Sequence, residues 1–303
     1  MSFEVKRRPK PPRANLRRNA ACAAARRLDD PISPHHWLLL LLLGALSACA
    51  NPTAHADRIA SAARLNREVI QGAPFRHLAF ASEATGDGTL WVFIEGDGSP
   101  WTRNGMTPAV DPTPHHPLAL ELAARTSGAV LYLGRPCYFS VRSDVPCSPD
   151  LWTAARYSRL VVDSMAAALN RFVAERGCRR VVLIGYSGGG TLAVLLAPRV
   201  PSATAVVTIA ANLDVAAWTA WHGYLPLHQS LNPANEAPLA PDLAQWHLIG
   251  GRDDNVPEYL SRRYLAKVRE DRIRRYAKFD HVCCWVQQWP EIFAQLATEI
   301  AAR

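Results

Sequence analysis

Short, uninterrupted apolar runs alternate with segments of helical spacing along most of this chain. Ala129 to Leu133, Val181-Val182-Leu183-Ile184, Ala203 to Ala210 and Gln245 to Ile249 have strand length without polar alternation, as strands buried on both faces of a parallel sheet do. A last strand is expected at Arg275 to Phe279. Between the strands, Leu118 to Arg125, Leu151 to Gly177 and Gly188 to Arg199 carry helical spacing, the second closing on a glycine stop. Phe75 to Ala81 and Leu90 to Ile94 are β-rich, and Thr85-Gly86-Asp87-Gly88 between them supplies turn chemistry, so they read as a hairpin-like pair. Ala50 to Gln71 reads as a tether and a first helix. Strand and helix in alternation predict an α/β fold, a mostly parallel central sheet covered by helices on both faces. Residues 215–240, rich in Trp, Pro, His and Asn, break the rhythm and read as a small cap or loop insertion. Trp218, Trp221 and Tyr224 within it are candidates for lining an apolar substrate pocket, with core packing or membrane-side contact as the alternatives.

Charge changes the picture at one end of the chain only. The 303 residues hold 34 Lys and Arg against 26 Asp and Glu, a net charge of +8. Residues 1–48 contribute nine bases and three acids, so the remaining 255 residues are nearly balanced. The body therefore lacks the clustered Lys and Arg that phosphate neutralisation needs, which argues against nucleic acid as a partner. The basic leader runs into Trp37-Leu38-Leu39-Leu40-Leu41-Leu42-Leu43-Gly44-Ala45-Leu46, which is about half the roughly 20 apolar residues a membrane span requires. A basic segment, a short apolar core and small residues make a secretory signal. Leu46-Ser47-Ala48-Cys49 resembles the lipobox of bacterial lipoproteins, which implies lipidation at Cys49 and a membrane tether through acyl chains. Ala50 after that cysteine implies an exported protein at the outer membrane, facing the periplasm.

Export makes disulfides permissible. Beyond Cys22 and Cys49 the cysteines are Cys137, Cys147, Cys178, Cys283 and Cys284. Cys178, just ahead of a strand, reads as a small buried apolar residue. The other four are disulfide candidates with three possible connectivities. Asp111-Pro112-Thr113-Pro114 with His115 and His116 reads as a rigid loop before a helix, because proline breaks the ligand spacing and no Cys or carboxylate cluster accompanies it. No metal and no cofactor is expected.

The chemistry is concentrated in Gly185-Tyr186-Ser187-Gly188-Gly189, a G-x-S-x-G between a predicted strand and a predicted helix. Such a turn presents Ser187 Oγ at the C-terminal edge of the sheet, beside a helix N-terminus that favours developing negative charge. A serine hydroxyl needs a base, and the base needs an acid to orient it. His281, just beyond the last strand, is the base candidate. Asp253, after the strand ending at Ile249, is the acid candidate, with Asp254 and Asp214 as rivals. Two backbone N–H donors for a tetrahedral oxyanion are expected at Gly188 and at Asp97, the latter in Glu95-Gly96-Asp97-Gly98 after an early strand, with Gly98 as its alternative. Glu95 itself reads as an ion-paired loop carboxylate, with a second acid near the site as the alternative, and Cys283-Cys284 as a disulfide pinning the His281 loop, with a redox or thiol nucleophile role as the alternative.

With these residues in place, the chain resembles the α/β-hydrolase superfamily over roughly residues 68–303. More narrowly it resembles exported bacterial lipoprotein hydrolases with stretches similar to Glu95-Gly96-Asp97-Gly98, Asp111-Pro112-Thr113-Pro114, Arg135-Pro136-Cys137, Gly185-Tyr186-Ser187-Gly188-Gly189-Gly190, Asn212-Leu213-Asp214 and His281-Val282-Cys283-Cys284-Trp285. Many such enzymes carry His-Gly where this chain has Glu95-Gly96. The organisation expected is a leader at 1–48, a tether and first helix at 49–67, and a hydrolase domain at 68–303 with its insertion at 215–240. The resemblance implies a serine-hydrolase fold and no particular metabolite; the reading of the residues is hydrolysis of a small acyl ester through a Ser187 acyl-enzyme. An amidase or acyltransferase uses the same residues, and a non-catalytic binding module is the reading from a different class.

Overall fold

The computed structural model describes residues 51–83, 88–102 and 105–302. The leader, the lipobox cysteine Cys49 and most of the turn expected at Thr85 to Gly88 lie outside the described residues.

Eight strands form one sheet: β1 (Asn66–Gln71), β2 (Arg76–Ala81), β3 (Thr89–Ile94), β4 (Ala129–Leu133), β5 (Arg180–Tyr186), β6 (Ala203–Ile209), β7 (Ala244–Gly250) and β8 (Ile273–Tyr276). Their spatial order is β1-β2-β4-β3-β5-β6-β7-β8. β2 is antiparallel to both of its neighbours, and from β4 to β8 every pair is parallel. The alternating α/β architecture and mostly parallel sheet are as the apolar pattern predicts, but four local readings change.

Phe75–Ala81 and Leu90–Ile94 do not form a hairpin, because β4 lies between β2 and β3. Asn66–Gln71 is an edge strand, not the end of the first helix. Its Asn-Arg-Glu-Val-Ile-Gln sequence is buried only at Ile70 and pairs on one side only, so it lacks the apolar run of an inner strand. The first helix, α1 (Pro52–Ala62), starts at an Asn51 cap whose side chain accepts from Ala54 N–H at 3.2 Å. The long helix expected from Leu151 is α3 (Arg159–Arg176), capped by the Ser158 hydroxyl and ended, as expected, at Gly177 with φ 66°. Pro149–Trp152 is a separate 3₁₀ turn. The last strand begins two residues early, at Ile273, and ends at Tyr276.

The remaining helices are α2 (Leu118–Ala123), α4 (Gly188–Leu196), α5 (Val215–His222), α6 (Arg262–Leu265) and α7 (Trp285–Ala301). α3 and α4 cover one face of the sheet, and α2 and α7 the other. On the α7 side, Trp91 and Phe93 of β3 meet Phe293 and Trp289 in T-shaped contacts at 4.8 and 5.9 Å. Trp246, Trp285 and Trp289 are fully buried, so each contributes the burial of a whole indole to the core. The 215–240 segment holds α5 and a 3₁₀ turn at Pro233–Asn235. Among the described residues no helix is long and apolar enough to cross a membrane.

Candidate active site

The parallel strands end on one edge, and the loops that leave them carry every residue of the candidate site. β5 runs into Ser187, whose φ of 51° and ψ of −123° mark a sharp, sterically costly turn before α4 begins at Gly188. The turn is possible because its neighbours have no Cβ. A Cβ on Gly189 would lie 2.1 Å from the Ile94 carbonyl oxygen, and one on Gly188 would lie 2.0 Å from Asp97 Oδ1. A hydrogen bond from Ser187 N–H to the Ile209 carbonyl, 2.9 Å, fixes the turn to β6.

His281 comes from the loop after β8. Asp280 holds that loop by accepting N–H bonds from Val282 at 2.8 Å and Cys283 at 2.7 Å. These bonds hold the Asp280 carboxyl below the usual carboxylate range. The Trp285 indole N–H donates to the Asp280 carbonyl, so the start of α7 is tied to the same loop. Cys283 and Cys284 are bonded to each other just beyond it, and Cys137 pairs with Cys147 with a Cα separation of 5.8 Å. Cys178 is a free thiol and only half-buried, less enclosed than its sequence context suggests.

Asp253 sits in the turn after β7. One oxygen, Oδ1, accepts the N–H groups of Asn255 at 3.0 Å and Val256 at 2.7 Å, and the other, Oδ2, lies 2.9 Å from His281 Nδ1. The opposite ring nitrogen, Nε2, is 3.1 Å from Ser187 Oγ. The structure thus brings Ser187, His281 and Asp253 into one hydrogen-bonded line. An Nδ1–H donated to the carboxylate leaves Nε2 free to accept the Ser187 proton. The rival acids are engaged otherwise: Asp214 caps α5 and is bonded to Asn232 and Arg263, and Asp254 is exposed.

The Glu95–Gly98 loop lies against the serine. A Cβ on Gly96 would be 3.4 Å from Ser187 Cβ. Among the described residues, neither Asp97 N–H nor Gly188 N–H has a hydrogen-bond acceptor, so both are free to meet an external oxygen. The Asp97 side chain is heavily engaged: it accepts from Arg135 (2.9 Å), Arg156 (2.7 Å) and the Tyr157 hydroxyl (2.7 and 2.8 Å). Burial alone would raise its carboxyl, but Arg156 and Arg135 outweigh that and hold it down at about 2.

Glu95 is not an ion-paired loop carboxylate. It is buried at the start of α2, where it accepts from Gly96 N–H (3.0 Å) and Ala119 N–H (3.0 Å). Burial pushes its carboxyl up to about 7, against the pull of those N–H groups and of Arg135. An unfolded carboxyl ionises near 4.5, so between these values the folded chain keeps a proton that the unfolded chain has released. Stability supplied by Glu95 is therefore full below about 4.5 and falls as pH rises through 7, by up to about 3 kcal/mol. Buried His77, lowered to about 4 by desolvation, acts in the opposite sense between about 4 and 6.5, so the two must be separated. Relative to Glu95→Gln, the parent is expected to lose stability between pH 5 and 7.5 in urea titrations. A difference that does not change with pH would mean that Glu95 is ionised throughout.

Trp218, Trp221 and Tyr224 form an aromatic cluster with His222, which Trp218 ties to the Asn255 loop beside Asp253. The Trp218 indole N–H and His222 Nε2 both meet the Asn255 carbonyl, at 3.0 and 2.8 Å, and Tyr224 stacks on His222. Trp221 and Tyr224 are about half exposed. Arg135, Arg156 and Tyr157 are site residues that the sequence reading missed. Arg156 and Tyr157 fall within the helix expected from Leu151 but lie in the turn ahead of α3, and Arg135 enters the sequence reading only as part of the Arg135-Pro136-Cys137 stretch, without a role. Among the described residues no group of His, Cys, Asp and Glu could hold a metal ion.

A scan against protein-family models and a search of curated protein sequences both return no match. Solved structures do match. A protein of unknown function from Agrobacterium tumefaciens, described as a candidate α/β hydrolase, superposes with a TM-score of 0.54 at 13% identity, over 78% of this chain and 98% of that one. An esterase from Pyrococcus furiosus gives 0.54 at 13% identity, over 80% and 93%. An esterase/lipase from an uncultured bacterium gives 0.51 at 14%, over 78% and 86%. At such identities the likeness concerns the fold alone: an eight-stranded, mostly parallel sheet with helices, as in the α/β-hydrolase structures it superposes on.

Proposed function

We propose that this protein is a serine hydrolase that cleaves carboxylic esters through a Ser187 acyl-enzyme. The observation that carries the reading is the line from Asp253 through His281 to Ser187, closed by distances of 2.9 and 3.1 Å beside two free backbone N–H groups. In the first step Ser187 Oγ bonds to the ester carbonyl carbon while His281 Nε2 takes its proton, and the carbonyl electron pair moves onto oxygen. The Asp97 and Gly188 N–H groups would meet that oxyanion, which is where electrostatic stabilisation is worth most. Collapse breaks the bond to the alcohol, which leaves with the proton from His281. Water then repeats the sequence against the acyl-enzyme and releases the acid. Asp253 Oδ2 accepts from His281 Nδ1 and so holds the imidazole in the right tautomer. No step calls for a cofactor. The half-exposed Trp221 and Tyr224 offer an apolar surface for the acyl or alcohol group.

The reading includes export and lipidation at Cys49, with the enzyme held at the outer membrane facing the periplasm. The Cys137–Cys147 bridge supports an oxidising compartment. The ester reading rests further on esterase descriptions among the structural neighbours, and an amide or thioester would use the same residues.

The test is reaction of the purified protein with a fluorophosphonate probe, mapped by mass spectrometry, followed by a screen of ester, thioester and amide substrates. Labelling confined to Ser187, with turnover of short esters, is the expected result. Folded protein that takes no label would overturn the hydrolase reading in favour of a binding module.

A further inference from the structure

Asp97 is held by more charge than a turn residue needs. Its carboxylate receives two guanidinium groups and one phenol, while the Tyr138 hydroxyl donates to its main-chain carbonyl at 2.9 Å. Arg135 and Arg156 are 2% and 5% exposed, and Tyr157 is fully buried. Two cations around one anion leave an excess positive charge inside the protein, and desolvating it is costly. Glu95 and the faces of the Tyr138 and Tyr157 rings, 5.9 and 5.5 Å from the Arg135 guanidinium, offset part of that excess, yet Arg135 Nε and Nη1 are buried without a hydrogen-bond partner among the described residues. A cluster built only for stability would be cheaper with a single arginine.

Its position suggests what the charge is for. Asp97 Oδ1 and the Tyr157 hydroxyl press on Gly188, where a Cβ would come within 2.0 and 2.4 Å of them. Gly188 follows Ser187 and Asp97 follows Gly96, whose added Cβ would lie 3.4 Å from Ser187 Cβ, and among the described residues the N–H groups of both Asp97 and Gly188 lack acceptors. The clamp also reaches the 215–240 insertion, since Tyr157 N–H donates to Ser230 Oγ at 3.1 Å and Leu231 N–H donates to the Tyr157 carbonyl at 3.0 Å.

We infer that Arg135, Arg156 and Tyr157 are positioning residues of the oxyanion site, holding the Asp97 loop against Gly188 so that both N–H groups converge on one point. The inference rests on the serine-hydrolase reading. The three side chains are buried and act through Asp97, not on substrate. Their excess positive charge lies next to the oxygen that becomes negative only in the transition state, so it favours that state over the bound ester.

The experiment compares the parent with Tyr157→Phe, Arg156→Lys and Arg156→Gln, using a fluorophosphonate probe and a p-nitrophenyl ester, with thermal unfolding recorded for each. Phosphonylation forms the Ser187 oxygen–phosphorus bond and expels fluoride, so it needs the oxyanion site without ester turnover. The labelling rate and kcat are expected to fall together by about ten- to a hundredfold in Arg156→Gln, with KM little changed, to recover in part in Arg156→Lys, and to fall less in Tyr157→Phe. A merely structural clamp would lower the melting temperature and leave the rates of the folded variants at the parent level, and that result overturns the inference. Should Arg156→Gln fail to fold, Tyr157→Phe decides by the same criterion. A parent that takes no label overturns the hydrolase reading and this inference together, whereas a labelled parent with unaltered variants overturns the inference alone.

Discussion

Ser187→Ala is expected to lower ester turnover about a millionfold, to near the level that binding and the oxyanion donors alone can sustain. The size follows from the absence of any second nucleophile in the proposed line: His281 Nε2 meets Ser187 Oγ and Asp253 meets the other side of the ring. His281→Ala should cost about as much, and the double variant little more, because nucleophile and base act as a unit. The fold should survive in Ser187→Ala, since alanine keeps the Cβ and the strained turn is fixed by the Ile209 carbonyl and the neighbouring glycines rather than by the hydroxyl. Steady-state kinetics with a short-chain ester, beside circular dichroism of each variant, measures this. Turnover in Ser187→Ala within tenfold of the parent would remove Ser187 from the mechanism.

The part of the fold that sequence makes visible is the part whose residues are buried on both faces. β3 and β4 are buried along their whole length and read directly as apolar runs, and the G-x-S-x-G turn is defined by close approaches that only glycine tolerates. Elements whose partners are remote in sequence were harder to read. Nothing in Phe75–Ala81 says that β4, some fifty residues on, will pair with it before β3 does. β1 is polar because it is an edge. Ile273 and Arg274 extend β8 ahead of the expected start through backbone pairing with β7 rather than through any apolar signal.

The candidate site divides in the same way. Ser187 and His281 stand out because their types and places relative to the strands are restrictive. Sequence points to Asp97 only for its backbone N–H, whereas its side chain is the centre of a buried ionic cluster whose other members, Arg135, Arg156 and Tyr157, are 38 to 60 residues away. Glu95 reads in sequence as an ion-paired loop carboxylate, yet it is 4% exposed because the start of α2 supplies the N–H groups that replace water around it. Such burial is a property of the loop's partners, so a single stretch of sequence cannot announce it.

Asp253→Asn is expected to lower kcat about ten-thousandfold while leaving the ester KM near the parent value. An amide in place of the Oδ2 that meets His281 Nδ1 at 2.9 Å can turn its NH₂ to the ring, which stabilises the tautomer with the proton on Nε2. That tautomer donates to Ser187 rather than accepting from it. The asparagine can still use its carbonyl oxygen for the N–H groups of Asn255 and Val256, so the turn and the fold should be kept. The two rival acids separate this effect from a general loss of charge. Asp254 is exposed, and Asp254→Asn should leave kcat within about twofold of the parent. Asp214 is 1% exposed and caps α5 while bonding Asn232 and Arg263. Its replacement by Asn should cost stability, about 1–3 kcal/mol, with the kcat of the folded fraction largely retained. A thousandfold or greater loss in Asp214→Asn or Asp254→Asn, with Asp253→Asn close to the parent, would transfer the acid role away from Asp253. The opposite pattern ties it to the one carboxylate that reaches the imidazole.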